Sequence, residues 1–105
     1  MNLTLNEYQQ LALTTRLATA DEEYCVLNLA AEAGEVAGKY AKARRDGRQL
    51  DFDQQVKKEL GDVLWQLSMV ALDRGFTLED IAEANLLKLN ARKSAGTLNG
   101  SGDNR

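Results

Sequence analysis

Apolar residues recur along the chain at intervals of three and four, the spacing that places them on one face of an α-helix. The sequence contains no proline, and start and stop signals divide it into four such segments. We therefore predict four helices, and we find no strand candidate of convincing length. The predicted helices run from Thr4 to about Leu17, from Thr19 to about Arg45, from Asp51 to about Arg74, and from Thr77 to just before Gly96.

The predicted helix boundaries follow from residues that cap helices. Thr4, Thr19 and Thr77 each stand three residues before an acidic side chain, which is the spacing of a capping box. Gly75 is suited to a left-handed cap after the third helix. The pattern predicts an all-α, four-helix, bundle-like protomer that assembles through its helices. Its single domain spans residues 1–93, and the tail 94–105, rich in glycine, asparagine and serine, is expected to be flexible.

Composition narrows the function classes further. With 105 residues, 44% hydrophobic and 28% charged, the chain has the make-up of one globular domain. A net charge of −3 with scattered basic residues argues against binding to duplex nucleic acid. No apolar run is long enough for a membrane span, and the N-terminus lacks the pattern of a signal peptide. We expect a cytoplasmic protein that does not bind membranes.

The chain contains no histidine and one cysteine. The absence of histidine excludes Ser-His-Asp and Cys-His catalysis, zinc sites that use imidazole, and Glu-x-x-His di-iron bundles. Cys25 lies in an apolar helical run and is expected to be a buried thiol without a catalytic role. Any catalytic chemistry must therefore use carboxylates, amines, guanidinium groups or amides.

Two polar stripes share the same spacing of i, i+4, i+7 and i+11, which confines each to a wedge of roughly 60° on its helix. Both helices are otherwise largely apolar around the acidic pairs. Removing a carboxylate from water there costs on the order of several kcal/mol unless a cation compensates for its charge. Each acidic pair also brackets a glycine. The stripes are Asn28, Glu32, Glu35 and Lys39 on the second helix, and Gln55, Glu59, Asp62 and Gln66 on the third.

Antiparallel packing of these helices would bring four carboxylates into one pocket. A site made only of carboxylate oxygens suits magnesium, manganese or calcium rather than zinc or copper. Magnesium commonly binds phosphate oxygens as well, so the pocket suits a polyphosphate substrate. Gly34, Gly38 and Gly61 are predicted to let helix backbones approach closely beside it. From these residues alone, lysines or arginines that neutralise the stripes in a structural core are the alternative.

The acidic pairs read EAGE at residues 32–35 and ELGD at residues 59–62, with 23 residues between them. This arrangement resembles the MazG-like members of the all-α NTP pyrophosphohydrolase superfamily, over roughly residues 6–92. The resemblance implies a homodimer or homotetramer and Mg²⁺, with Mn²⁺ as a possible substitute, held by Glu32, Glu35, Glu59 and Asp62. It implies hydrolysis of a nucleoside triphosphate to the monophosphate and pyrophosphate, in a role that cleans or regulates the nucleotide pool.

The resemblance also implies cations on the last helix, where three polar residues share one face. We predict that these residues and Lys39 bind phosphate, although a solvated helix end is the alternative for the two basic ones. Trp65 could stack on a base and Tyr8 could line the base pocket, with core packing as the alternative for both. The predicted substrate-binding residues are Asn28, Lys39, Trp65, Gln66, Asn85, Lys88 and Arg92.

Ala31 departs from the family pattern, in which many members have a further glutamate directly before the first motif. The identity of a general base therefore stays open. Two other functions stay open as well: a non-catalytic helical assembly module, and a pyrophosphohydrolase specific for dUTP or phosphoribosyl-ATP.

Overall fold

A computed structural model describes residues 1–104 and shows four helices with no strand among those residues. This confirms the predicted all-α fold. The helices are α1, Leu5–Leu13; α2, Glu22–Asp46; α3, Phe52–Asp73; and α4, Leu78–Ala95. Arg105, the last residue of the predicted flexible tail, lies outside the described residues. None of the helices in the described part is long and apolar enough to cross a membrane.

Most of the predicted helix boundaries are confirmed. Thr77 and Asp80 form a reciprocal capping box at the start of α4, and Gly96 ends that helix in the left-handed conformation. Gly75, after α3, has a φ of +80°, which a residue with a Cβ rarely adopts. The third and fourth helices are therefore bounded by the caps that the sequence indicated.

Two boundary predictions are wrong. Helix α1 ends at Leu13 rather than near Leu17, because Thr14 and Thr15 turn their hydroxyls back onto carbonyls three residues earlier and tighten the chain into a turn. Helix α2 is capped by Asp21, whose carboxylate accepts the Tyr24 amide at 2.9 Å, rather than by Thr19. Asp21 directly precedes the first helical residue, and aspartate is among the preferred N-cap residues.

The most extensive helix contact is between α2 and α3, which are joined by a short turn and pack antiparallel along their lengths. Helix α1 packs on α3, and α4 packs mainly on α1. A small core forms where α1, α2 and α3 meet, around Ala12, Cys25 and Met69. Cys25 is fully buried, as predicted, and its burial raises the pKa of the thiol.

Gln9 ties α1 to the chain segment between α3 and α4. Its amide nitrogen donates to the carbonyls of Ser68 at 3.2 Å and Phe76 at 3.1 Å, and its amide oxygen accepts the Leu78 amide at 3.0 Å. The side chain is only 1% exposed. One buried glutamine therefore satisfies three backbone groups and holds the start of α4 against α1.

An ion pair joins the end of α1 to the end of α3. The Arg16 guanidinium donates two hydrogen bonds to the Asp73 carboxylate, at 3.0 and 2.7 Å, and its third donor reaches the Ala20 carbonyl. The hydrogen bonds from Arg16 lower the pKa of Asp73 in the folded protein. The ionised carboxylate therefore stabilises the fold.

We predict that Asp73→Asn lowers the free energy of unfolding by about 1 kcal/mol at neutral pH, the usual contribution of a partly exposed, charge-assisted hydrogen bond. Because the folded pKa of Asp73 is depressed, this contribution is present above the unfolded pKa of about 3.9 and is lost as the pH falls below it. Urea unfolding at pH 7 and pH 3 measures both. Asp46→Asn, in the exposed pair with Arg45, is the control and should change stability less. An Asp73 effect that persists undiminished at pH 3 would contradict the prediction.

Candidate active site

The two polar stripes face each other across the α2–α3 contact, and three carboxylates come together there. One oxygen from each of Glu32, Glu59 and Asp62 lies within 4.8 Å of the other two. We call these three residues the acidic cluster. Glu32 and Glu59 are half-buried, whereas Asp62 is exposed. Glu35 is exposed and contributes no oxygen to this group, so the structure brings together three of the four predicted carboxylates.

The acidic cluster concentrates negative charge. Burial raises the pKa of the Glu32 carboxyl, and the negative charges of Asp62, Glu59 and Glu35 raise it further. The Asn28 amide donates to Glu32 at 3.3 Å and offsets part of this effect. The charge of Glu35 therefore acts on Glu32, although Glu35 contributes no oxygen to the acidic cluster. Binding of a cation would relieve this repulsion.

The donor set fits a hard divalent cation. Ligand oxygens on opposite sides of one magnesium or calcium ion lie about 4 to 5 Å apart, so the three carboxylates can reach one ion with small side-chain adjustments. Among residues 1–104, the cation that pairs with the cluster is Lys39, whose Nζ lies 4.0 Å from a Glu59 oxygen. One distant ammonium against three carboxylates leaves an excess of negative charge.

Aromatic and amide side chains lie on the α1 side of the acidic cluster. Burial raises the pKa of the Tyr8 hydroxyl, and the charge of Asp62 raises it further, while the Tyr8 ring packs on the small core. The Trp65 indole donates to the Thr15 hydroxyl at 2.8 Å and packs on the core. Core packing thus explains much of the placement of both aromatic side chains, and their contact with a base stays a prediction.

Gln66 lies one helical turn beyond Asp62 on the same face of α3. It is 6% exposed, and its amide oxygen has no hydrogen-bond partner among the described residues. A buried amide oxygen without a partner costs about 1–3 kcal/mol. The predicted role of Gln66 in substrate binding would give this atom a donor.

The predicted phosphate-binding residues of α4 are not brought to the acidic cluster. Lys88 and Arg92 both contact Asp103 of the C-terminal segment, each at 3.1 Å, and Arg92 is nearly buried. Asn85 and Lys88 line an open, largely apolar hollow of about 630 Å³ on α4. The phosphate-binding role of these three residues stays a prediction, as does the flexibility of the tail.

The three helical glycines do not bring helices close together within this chain. A Cβ added at Gly34, Gly38 or Gly61 would meet no atom of another residue within 4 Å. The prediction of close backbone approach beside the pocket is therefore wrong for the protomer, because these positions point away from the other described helices.

A cavity that the sequence interpretation missed lies at the turn between α2 and α3. It has a volume of about 280 Å³. Lys42, three residues after Lys39, lines it, and so continues the polar stripe of α2 beyond the point where we ended it. The extra lysine at helical spacing was the signal available in the sequence.

Comparisons with known proteins agree with these observations. A family model described as "MazG nucleotide pyrophosphohydrolase domain" matches residues 20–96. The chain is also 38% identical over 85 residues to the "Gene 37 protein" of Mycobacterium phage L5, a match that covers 78% of this chain and 75% of the phage protein. No solved structure gives a significant match.

Proposed function

Because the chain belongs to the MazG nucleotide pyrophosphohydrolase family, we propose that it hydrolyses nucleoside triphosphates, ribo- or deoxyribo-, to the monophosphate and pyrophosphate in a Mg²⁺-dependent reaction. Removal of unwanted nucleotides from the pool is the proposed role. Base and sugar preference can be determined by an assay with a panel of nucleotides that includes dUTP and phosphoribosyl-ATP.

The observation that carries the proposal is the acidic cluster. Three carboxylates from two helices converge within 4.8 Å, and the cation paired with them in the described part of the chain, Lys39, lies 4.0 Å from Glu59. A purely structural core would pair these charges with arginines or lysines, because removing a carboxylate from water without a partner costs several kcal/mol. The arrangement therefore favours a bound metal ion over a self-neutralised core.

Glu32, Glu59 and Asp62 would hold the ion. Bound there, Mg²⁺ neutralises phosphate charge and lowers the pKa of water. In the proposed step, a water oxygen forms a bond to the α phosphorus while the bond from that phosphorus to the bridging oxygen breaks. The electron pair leaves with pyrophosphate, and one water proton goes to a carboxylate.

We propose that Glu35 is that proton acceptor. It lies one helical turn from Glu32, it is exposed, and it stands outside the acidic cluster, so its oxygens are not committed to an ion. This assignment supplies a general base in a chain that has Ala31 where many family members have a glutamate. The family resemblance had implied that all four carboxylates hold the ion.

We further propose that the protein is a homodimer or homotetramer. The radius of gyration is 16.5 Å, against about 13 Å for a compact domain of this length. Large apolar side chains on α2 and α4 are exposed, among them Leu27 at 66% and Leu87 at 73%. Light scattering at micromolar concentration should give two or four times the chain mass, and a monomer would contradict the proposal.

Metal binding can be tested apart from turnover. Adding Mg²⁺ to metal-stripped protein should raise the melting temperature, because a ligand that binds only the folded state stabilises it by mass action. EDTA should reverse the rise. A melting temperature that does not respond to Mg²⁺ or Mn²⁺ at millimolar concentration would overturn the metal site.

A further inference from the structure

The cavity at the α2–α3 turn is bordered by both helices and by the turn itself. Lys39 and Lys42 line it from α2, and Gln49, Phe52 and Gln55 line it from the turn and from α3. Lys42 has no carboxylate partner among residues 1–104. Asp46, the acidic residue at the rim, is paired with Arg45 at 2.7 Å. The cavity therefore carries an uncompensated positive charge.

The cavity adjoins the acidic cluster. Lys39 connects the two, since it lines the cavity and its Nζ lies 4.0 Å from a Glu59 oxygen. On α3, Gln55 lines the cavity and precedes Glu59 by four residues, which is about one helical turn, or about 5.4 Å along the axis. A ligand that spans one turn of α3 can thus reach from the cluster into the cavity.

The start of α3 forms one wall of the cavity. The Gln55 side chain donates to Asp51 and Gln49, which fixes the position of this wall. The attraction for an anion comes from the lysines of α2 that line the cavity.

The line of contact between α2 and α3, which we call the α2–α3 groove, runs from the α1 side to the α2–α3 turn, and its two ends differ in chemistry. Tyr8, Trp65 and the unpartnered amide of Gln66 lie toward α1. The two lysines lie at the other end, beyond the acidic cluster. An aromatic and amide end suits a nucleoside, and a cationic end suits phosphate groups.

We propose that the cavity at the α2–α3 turn binds the β and γ phosphates of the substrate and then the leaving pyrophosphate, with the nucleoside directed toward α1. This inference rests on the proposed function and gives the substrate one direction along the groove. When the bond to the α phosphorus breaks, the bridging oxygen keeps the electron pair, and pyrophosphate gains negative charge. Lys39 and Lys42 are placed to neutralise that charge.

The test uses inorganic pyrophosphate with Mg²⁺ as the probe, on the full chain. Lys42→Gln should weaken pyrophosphate binding about tenfold, the usual effect of losing one hydrogen bond to a charged group. Lys57→Gln makes the same charge change on an exposed lysine outside the cavity and should leave binding within about twofold. Binding of a nucleoside monophosphate should be unaffected in both variants. Calorimetric titration of the unaltered protein and both variants with each of the two ligands measures the affinities, and melting curves confirm folding.

Equal pyrophosphate affinity in the two variants, or no pyrophosphate binding by the unaltered protein, would overturn the inference. So would an equal loss of monophosphate binding in Lys42→Gln. The proposed function fails separately: it requires Mg²⁺-dependent formation of monophosphate and pyrophosphate by the unaltered protein, whatever the behaviour of Lys42→Gln.

Discussion

Replacing Glu32 with glutamine should lower kcat/KM for nucleoside triphosphate hydrolysis on the order of a thousandfold, because a metal ion contributes several kcal/mol of transition-state stabilisation. The same variant should lose the Mg²⁺-induced rise in melting temperature. Its metal-free melting temperature should be equal or higher, because the negative charges of Asp62, Glu59 and Glu35 no longer act on a carboxylate at position 32.

Two matched variants separate metal binding from proton transfer. Glu35→Gln should keep most of the Mg²⁺ response and lower kcat by about a hundredfold or more, as expected for loss of a general base. Glu83→Gln, an exposed change on α4, should alter neither. If Glu35→Gln loses the Mg²⁺ response as fully as Glu32→Gln, Glu35 is a metal ligand and the assignment as proton acceptor is wrong. Full activity in Glu32→Gln would exclude the acidic cluster as the catalytic site.

The second large effect concerns stability. Gln9→Leu should lower the free energy of unfolding by about 2 kcal/mol or more, because the Phe76 carbonyl and the Leu78 amide lose the partner that Gln9 provides, at about 1–3 kcal/mol each. The Ser68 carbonyl, which lies inside α3, keeps its helical hydrogen bond and loses only the second one from Gln9. Urea unfolding measures the change. Gln10→Leu, on the exposed side of the same helix, is the control and should stay within about 0.5 kcal/mol. Comparable stability of the two variants would mean that Gln9 does not hold α4 in place.

The helices were predictable because local signals agree with the packing. The capping box at Thr77 and the glycine at position 75 depend on residues within one turn, and the structure uses both. The end of helix α1 could not be predicted in this way, because Thr14 and Thr15 are compatible with either a helix or a turn. In the structure their hydroxyls donate to carbonyls three residues earlier, which forms a turn. The cap of α2 could not be predicted from sequence either, because Thr19 and Asp21 are both residue types that cap helices, and the structure uses Asp21.

The acidic cluster was predictable for the same reason as the helices, since a repeated spacing on two adjacent antiparallel helices leaves little choice of arrangement. What the pattern could not give is the direction of a long side chain, and Glu35 lies on the stripe yet outside the cluster. The position of α4 depends on side chains of α1, Gln9 and Asn6, that bond the amides of Leu78 and Glu79, and no local pattern in the sequence predicts these distant contacts. Lys88 and Arg92 contact Asp103 across a glycine-rich segment. That segment has no periodic pattern from which these contacts could be predicted.

Identification of the products tests the central claim most directly. Purified protein is incubated with a panel of ribo- and deoxyribonucleoside triphosphates that includes dUTP, and with phosphoribosyl-ATP, in Mg²⁺ and in EDTA, and monophosphate, diphosphate, pyrophosphate and orthophosphate are resolved. We expect monophosphate and pyrophosphate in equal amounts from at least one substrate, only with Mg²⁺. Diphosphate with orthophosphate, or no turnover across the panel by folded protein, would contradict the proposed function, and the second result would favour the non-catalytic assembly module.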